Sequence, residues 1–328
     1  HWDPAPFGTV LTMLPTSGIL DFTNPEAFTW WRDQHDALFD VGVDVMKPDF
    51  GEQVPDDPHC VAWNGERGPR LHNVYALLYN RACFEASRRR FGTGLVFSRS
   101  AYVGAQTLPV QWGGDPQSDW GGLAGSIRGM LSWALSGCPW YATDIGGFYG
   151  EQPSPELFVR WTQAAVFASH MRFHGIGARE PWSYGEAALG HVRRALELRY
   201  ALLPYIERSL EATCATGIPL TRPMALAFPE EREAHGFDTQ YLFGPDLLVA
   251  PIVAPGGRVS VWLPGGVWHD WHTGERLAGG RRLDLELPLD RFPLFAREGA
   301  EIPLAVAVDR TDAWGSGAIP LAEVRRFG

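Results

Sequence analysis

The 328-residue chain is poor in the features that mark several large classes of protein. Its four cysteines form no CxxC pair and have no histidine at ligand spacing, which argues against a zinc site or a disulfide framework and predicts buried free thiols. No apolar run approaches the roughly 18 residues that cross a bilayer, and no apolar leader follows a basic start. We therefore expect neither a metal nor a membrane-spanning segment. The cysteines are Cys60, Cys83, Cys138 and Cys214.

Positive charge is also scarce. The chain has 28 Lys and Arg against 38 Asp and Glu, a formal net charge of -10. This balance argues against nucleic acid or an anionic membrane surface as a partner. The expected free thiols fit a cytoplasmic location. Tryptophan, by contrast, is abundant at fourteen residues, and its flat apolar face suits sugar rings, although core packing accounts for most of the fourteen.

Short apolar runs alternate with helical patterns from about residue 17 to 215. Asn24 and Pro25 have the residue types of a helix N-cap and first turn. The alternation predicts parallel βαβ units, and the polar cluster that ends each strand favours a (β/α)₈ barrel. A doubly wound sheet would usually carry a Gly-rich phosphate-binding turn, and the sequence has none. We count about six strand-and-helix segments, so the barrel is expected to lack its first strands. Predicted strands cover 41–46, 94–97, 109–112 and 139–142, and predicted helices cover 72–90, 123–135, 156–172 and 187–212.

After about residue 217 the pattern changes to alternating apolar runs separated by Gly-Gly and Pro-Gly turns. Residues 267–274 are typical of a hairpin. We predict an α/β catalytic barrel over residues 1–216, followed by a small antiparallel β-sandwich over residues 217–328.

Two acidic segments follow predicted strands. Asp49 comes directly after a buried strand, and a lysine at Lys47 would favour its ionised form, as a nucleophile requires. Asp115 follows Trp112 and a glycine pair at the end of another strand. Adjacent barrel strands are about 4.8 Å apart. Carboxylates at the ends of two such strands would therefore lie near the roughly 5–5.5 Å that separates the two catalytic carboxyl groups of a retaining glycosidase. Spacing alone also fits surface carboxylates or the metal sites of phosphatases and aldolases.

Several segments, in order, resemble those of glycoside hydrolase family 31. Residues 47–52 resemble its KxDFGE nucleophile segment, and residues 97–106 with 112–115 resemble its RSxxxGxQ…WxGD block. Residues 143–148 resemble its DIGGF segment, and residues 173–175 resemble the segment with a substrate-binding histidine. The stretches 204–205 and 241–251 resemble the start of the C-terminal sandwich.

The resemblance implies a role for each matching residue. Asp49 would be the nucleophile and Asp115 the general acid/base. Arg99 and His174 would bind sugar hydroxyls in the −1 subsite, and Asp144 would touch the sugar or hold Arg99. The remaining candidates are Trp112 and Trp140, which we expect to form apolar walls of the sugar site. For Trp140, packing in the core is an equal alternative.

The α-xylosidase branch of the family is favoured by one residue, Lys47. The KxDFGE form resembles that of α-xylosidases, and a long cation in the −1 subsite can fill the room that a glucose 6-hydroxymethyl group needs. Alternatively, Lys47 only pairs with Asp49 or Glu52. Pro48, where the family commonly has threonine, departs from the pattern.

The resemblance implies cleavage of terminal α-xylosyl residues through a covalent intermediate, with no cofactor. An α-glucosidase or a sulfoquinovosidase of the same family is the alternative, and a non-catalytic sugar-binding remnant is an alternative of another class. A metal-dependent hydrolase is disfavoured because no His/Asp ligand set follows the strands. The expected partner is a small α-xyloside or an oligosaccharide, and similarity to bacterial members suggests a homo-oligomer.

Overall fold

A computed structural model of the protein describes residues 18–315 and 317–328. Residues 1–17, which open the predicted barrel domain, lie outside the described residues. The chain divides into two compact units, one ending at Trp112 and one running from Gly113 to Gly328.

Three α-helices lie in the described part of the first unit, residues 18–112. The predicted N-cap at Asn24 is confirmed, because its side-chain oxygen accepts a hydrogen bond from the Glu26 backbone N–H at 2.9 Å. The longest helix ends at Gly92, whose φ of 79° is easily adopted by glycine. Arg89 ties this helix to the other two through ion pairs with Asp33 and Asp36. The helices are α1 (Pro25–Gln34), α2 (Asp36–Asp40) and α3 (Gly68–Phe91), with a 3₁₀ turn at Ala105–Thr107.

Extended segments of the first unit run parallel to one another. Met46 bridges Val96, and Ser98 bridges Gln111 in the strand β1 (Gln111–Trp112), both in parallel register. The regular strands are shorter than predicted, since the segments around Met46 and Val96 form only single bridges. A buried apolar cluster joins these segments to the helices: Phe39, Met46, Cys83, Ala86, Val96 and Leu108.

The second unit begins with alternating strands and helices. Asp119 caps one helix by accepting a hydrogen bond from the Gly122 N–H, and Ser154 caps the next by accepting one from the Leu157 N–H. Two strands pair in parallel, as the barrel prediction requires. In chain order the elements are α4 (Trp120–Leu135), β2 (Tyr141–Ala142), β3 (Asp144–Ile145), α5 (Pro155–Ala165), β4 (Arg172–Phe173), a 3₁₀ turn at Pro181–Tyr184, α6 (Glu186–Ala201) and α7 (Leu203–Thr216).

The chain continues as an antiparallel β-sheet domain. The elements are β5 (Thr221–Pro223), α8 (Met224–Ala227), β6 (Tyr241–Phe243), β7 (Leu247–Val249), β8 (Arg258–Leu263), β9 (Val267–Asp270), β10 (Arg276–Ala278), β11 (Arg281–Glu286), β12 (Leu294–Arg297), β13 (Glu301–Ala305) and β14 (Leu321–Arg326), with 3₁₀ turns at Arg232–Gly236 and Thr311–Trp314. Six strands form one sheet in the order β10-β9-β12-β7-β6-β5, and β8–β11 and β13–β14 form separate antiparallel pairs. The predicted hairpin is confirmed by the pairing of β9 with β10.

The central strands of this sheet are buried on both faces. In β7, Leu247 and Val249 pack with the helices, whereas Leu248 packs with residues of β8 such as Val261. Because successive side chains of a strand point to opposite faces, burial on both sides requires an unbroken apolar run rather than an alternating one. The sheet therefore separates two cores, one shared with the helices and one shared with β8.

In the part of the chain that the structure describes, no helix has the length and apolar character needed to cross a membrane. All four cysteines lie within this part and are free thiols. Cys83 and Cys138 are buried as predicted, whereas Cys60 is half-buried and Cys214 is exposed.

Candidate active site

The Asp49 carboxylate is held by two cations and one backbone group. Its Oδ1 lies 3.0 Å from Arg99 Nη1 and accepts a hydrogen bond from the Phe50 N–H at 2.8 Å. Its Oδ2 accepts a hydrogen bond from Lys47 Nζ at 3.3 Å. The side chain retains 37% exposure. The carboxylate is thus oriented by three contacts and remains accessible.

The backbone after Asp49 turns sharply. Phe50 has a φ of 59°, a region that residues other than glycine rarely adopt, and Gly51 follows with a φ of 95°. A Cβ on Gly51 would overlap the Ser100 hydroxyl and approach Tyr79 Cδ1 to 2.9 Å. The close approach of Gly51 to Ser100 therefore requires glycine, and it fixes the segment that carries the carboxylate.

Arg99 is positioned by strand pairing. Its backbone N–H donates to the Pro48 carbonyl at 3.3 Å, so the two segments run side by side. The guanidinium contacts Glu52 Oε1 through Nη2 at 2.5 Å, in addition to Asp49, and its central carbon lies 4.3 Å from the centre of the Phe50 ring. A planar fork of donors suits two carboxylates at once, which a lysine ammonium cannot match. Arg99 thereby links both acidic residues of the segment.

Lys47 lies over a buried tryptophan. Its Nζ is 4.5 Å from the centre of the Trp112 ring, a cation–π distance. Trp112 is only 2% exposed and packs its ring 5.0 Å from that of Phe97. The Lys47 ammonium group is thus held between the Trp112 ring and the Asp49 carboxylate.

In the second unit, Asp115 lies on a loop between a glycine pair and α4. The side chain is exposed. The loop is anchored on each side of it, because the Gly113 N–H donates to the Ala142 carbonyl at 3.0 Å and the Pro116 carbonyl accepts from the Phe148 N–H at 2.7 Å. The loop backbone is thus fixed around an accessible carboxylate.

Asp144 is fully buried and paired with an arginine from the neighbouring strand. Arg172 donates through Nε to Asp144 Oδ1 at 2.8 Å, and β3 and β4 place the two residues directly opposite each other. Burial raises the pKa of the nearby Tyr141 phenol, with the charge of Asp144 as the second cause. This tyrosine remains a neutral donor at physiological pH.

The remaining predicted residues also lie in the second unit. The His174 ring stacks on the Phe148 ring with centroids 5.4 Å apart, so the histidine is half-buried and oriented. Trp140 is half-buried next to β2. Among the described residues, no group of three or more His, Cys, Asp or Glu side chains could hold a metal ion.

Two residues of the site were not singled out by the sequence. Glu52 lies inside the matched nucleophile segment, and its partnership with Arg99 was not foreseen. Arg172 lies two residues before His174 and pairs with Asp144. A charged residue so close to a predicted site histidine was the signal in the sequence that could have indicated a role for it. Both act through partners more than 25 residues away in sequence.

Polar side chains that follow parallel strands, with an antiparallel β-sheet domain after them, are typical of an α/β barrel fold with an appended β domain. Residues 4–208 match the glycosyl hydrolases family 31 TIM-barrel domain, and residues 217–302 match the glycosyl hydrolase family 31 C-terminal domain. The chain belongs to glycoside hydrolase family 31.

Individual relatives differ in specificity. The chain is 37% identical over 305 residues to an α-xylosidase of Emericella nidulans, covering 90% of this chain and 39% of that protein. It is 34% identical to a probable glucan 1,3-α-glucosidase of Oryza sativa, covering 86% of this chain and 33% of that protein. The solved cycloalternan-forming enzyme of Listeria monocytogenes, in complex with a pentasaccharide substrate, superimposes with a TM-score of 0.83 at 35% identity, covering 92% and 30%. The chain thus spans between a quarter and about two fifths of the curated relatives it matches.

Proposed function

We propose that the protein is a retaining α-glycoside hydrolase in which Asp49 is the nucleophile and Asp115 the general acid/base. The observation that carries the proposal is the environment of Asp49, whose carboxylate is accessible yet held by Lys47, Arg99 and a backbone N–H. A nucleophilic carboxylate must be aimed at the anomeric carbon, and these donors orient it.

The proposed reaction has two steps. In the first, Asp49 attacks the anomeric carbon while Asp115 protonates the departing glycosidic oxygen, which leaves a covalent glycosyl ester. In the second, Asp115 accepts a proton from water, which attacks the anomeric carbon and releases Asp49. Arg99 and His174 are proposed to bind sugar hydroxyls, with contacts that strengthen as the ring flattens. Trp140 is proposed as an apolar wall of the sugar site.

Asp144 is proposed to act through Arg172 on the sugar site. Its own carboxylate is 0% exposed, and the arginine that it holds is partly accessible, with a 22% exposed side chain. The buried carboxylate would therefore orient a cation instead of meeting the substrate itself.

The proposed substrate carries a terminal α-xylosyl residue. The Lys47 ammonium group is fixed between Asp49 and the Trp112 ring, so it has a defined position from which to exclude a 6-hydroxymethyl group. The similarity to an α-xylosidase supports this choice. The second candidate is an α-glucosidase, favoured by the similarity to the rice protein. A xyloside or xylose-containing oligosaccharide is the proposed ligand, with no cofactor.

The mechanism is tested with Asp49→Asn in the intact protein, assayed on 4-nitrophenyl α-xyloside and α-glucoside. We expect a loss of kcat on the order of 10⁴-fold or more on whichever substrate is cleaved. Asp44→Asn is the matched control, because Asp44 is an exposed aspartate five residues earlier in the chain. Turnover of the Asp49 variant equal to that of the control would refute the mechanism.

Specificity is tested by comparing kcat/KM for α-xyloside, α-glucoside and α-sulfoquinovoside, with and without Lys47→Met. We expect the xyloside to be preferred, and the substitution to shift the ratio toward the glucoside by roughly tenfold, since a pocket discriminates one extra carbon group by about 10–200-fold. A wild-type preference for the glucoside would contradict the Lys47 argument and leave the catalytic roles intact.

The two expected domains, residues 1–216 and 217–328, are proposed as the catalytic barrel and the C-terminal β-sandwich of this enzyme. Limited proteolysis followed by N-terminal sequencing would test the boundary, with cleavage expected near Gly217, where the helix α7 ends.

A further inference from the structure

Arg179 is a buried arginine that the proposed chemistry does not use. It is only 5% exposed. Its Nη2 donates to the Ser118 hydroxyl at 2.9 Å, its Nε to the Gly147 carbonyl at 2.8 Å and its Nη1 to the Ala178 carbonyl at 2.9 Å. The Tyr184 hydroxyl donates to the same Ala178 carbonyl. The guanidinium thus donates hydrogen bonds to three separate acceptors, two backbone carbonyl groups and one side-chain hydroxyl.

These points belong to three loops, each of which carries or directly follows a proposed site residue. Ser118 ends the Asp115 loop, Gly147 lies in the loop after Asp144, and Ala178 lies in the loop after His174. Backbone hydrogen bonds join the loop after Asp144 to each of the other two.

Two of these backbone hydrogen bonds bind the Asp115 loop to its neighbour, since the Ser118 N–H donates to the Tyr149 carbonyl at 2.8 Å and the Phe148 N–H to that of Pro116 at 2.7 Å. A third joins the remaining loop, because the Ile176 N–H donates to the Phe148 carbonyl at 2.8 Å. Arg179 lies where the three loops meet.

Glycines of these loops pack closely against Arg179 and Ser118. A Cβ on Gly175 would lie 2.7 Å from Arg179 Nε, and one on Gly146 would lie 3.1 Å from Arg179 Cδ. A Cβ on Gly147 would overlap the Ser118 backbone. The loops therefore lie close around the guanidinium, whose planar fork of donors links them.

We infer that Arg179 is a positioning residue for the general acid/base: it holds the Asp115 loop, through Ser118, at a fixed distance from the loops that follow Asp144 and His174. The inference rests on the proposed function, because it concerns how the proton donor of that reaction is aimed. A lysine ammonium group has its three N–H donors on one nitrogen, so it cannot span the three acceptors that the separate guanidinium nitrogens reach.

The test uses the dependence of kcat/KM on the leaving group, in the intact protein. A phenyl or alkyl α-glycoside needs a proton on the departing oxygen, whereas an α-glycosyl fluoride releases fluoride ion with little help. The sugar is the one that the wild type prefers. For Arg179→Lys we expect roughly a 10–100-fold loss on the phenyl glycoside, within the range of general acid catalysis, and about threefold or less on the fluoride. Ser118→Ala, which removes only the hydroxyl acceptor, should shift the two rates in the same direction by a smaller factor.

Arg199→Gln is the matched control. Arg199 is also buried and donates to three carbonyl groups, those of Val166, Ala168 and Ser169, away from the Asp115 loop. We expect a lower melting temperature with an unchanged ratio of phenyl glycoside to fluoride. Asp115→Ala is the reference for complete loss of the acid.

The outcomes separate the two hypotheses. If Asp115→Ala slows both substrates alike, the proposed function fails and the inference fails with it. If Asp115→Ala spares the fluoride, yet Arg179→Lys and Ser118→Ala leave the ratio unchanged as Arg199→Gln does, Arg179 is structural and the inference alone is overturned.

Discussion

The substitution Arg99→Lys separates the charge of Arg99 from its geometry. The guanidinium contacts two carboxylates with different nitrogens, Asp49 through Nη1 at 3.0 Å and Glu52 through Nη2 at 2.5 Å. It also lies over the Phe50 ring at 4.3 Å. A lysine keeps the positive charge but can reach only one of the two carboxylates well. The variant therefore loses one charge-assisted hydrogen bond and keeps the sign of the field.

The magnitude follows from the exposure of the partners. A hydrogen bond to a charged group contributes about 1.5–3 kcal/mol, and exposure to solvent lowers this value. The Asp49 and Glu52 side chains are 37% and 44% exposed, whereas that of Arg99 is 12% exposed. We take the lower end, about 1.5 kcal/mol, as the loss in transition-state stabilisation. This corresponds to roughly a tenfold decrease in kcat/KM.

The assay is kcat/KM on the preferred 4-nitrophenyl α-glycoside, together with a thermal melt of each variant. Arg88→Lys is the control, since Arg88 is an exposed arginine in the last turn of α3. We expect Arg88→Lys to match the wild type and Arg99→Lys to fall about tenfold without a matching drop in melting temperature. A value for Arg99→Lys within twofold of the control would refute the view that Arg99 acts through its two-carboxylate geometry.

Two further predictions concern the backbone and the thiols. Gly51→Ala should lower the free energy of unfolding by about 1–3 kcal/mol and also lower kcat/KM. Gly125→Ala, in the open middle of α4, should be neutral or stabilising by up to about 1 kcal/mol. Chemical denaturation measures both changes in stability. Burial raises the pKa of the Cys83 thiol to about 12 and that of Cys138 to about 11, so at pH 8 their thiolate fractions fall to about 10⁻⁴ and 10⁻³. Iodoacetamide should therefore label Cys214 first, and labelling of the two buried thiols should rise with pH; early labelling of either would contradict their burial.

Local sequence was sufficient for several elements. The N-cap at Asn24 and the hairpin that begins at Val267 need only residues that are near one another in the chain. Helix ends were predicted less well. The single helix expected over 187–212 is broken at Leu202, because Pro204 lacks a backbone N–H and disfavours helical geometry before it.

A second difference depends on distant contacts. The helix expected over 156–172 ends at Ala165, and the chain beyond it is held by Arg199, which donates to carbonyl groups of residues 166–169. Arg199 lies about 30 residues further along the chain. Periodicity within one helix contains no information about such a partner.

The sequence by itself determined the family and the chemical groups, because Asp49, Lys47 and Asp115 stand in motifs whose spacing is local. Tertiary structure decided how those groups are held. Strand register brings Arg99 to Asp49 and Glu52, and loop packing brings Arg179 to Ser118 across 61 residues. A motif fixes which side chains are present within a few residues, whereas the partner of a buried charge depends on which segments the fold places side by side.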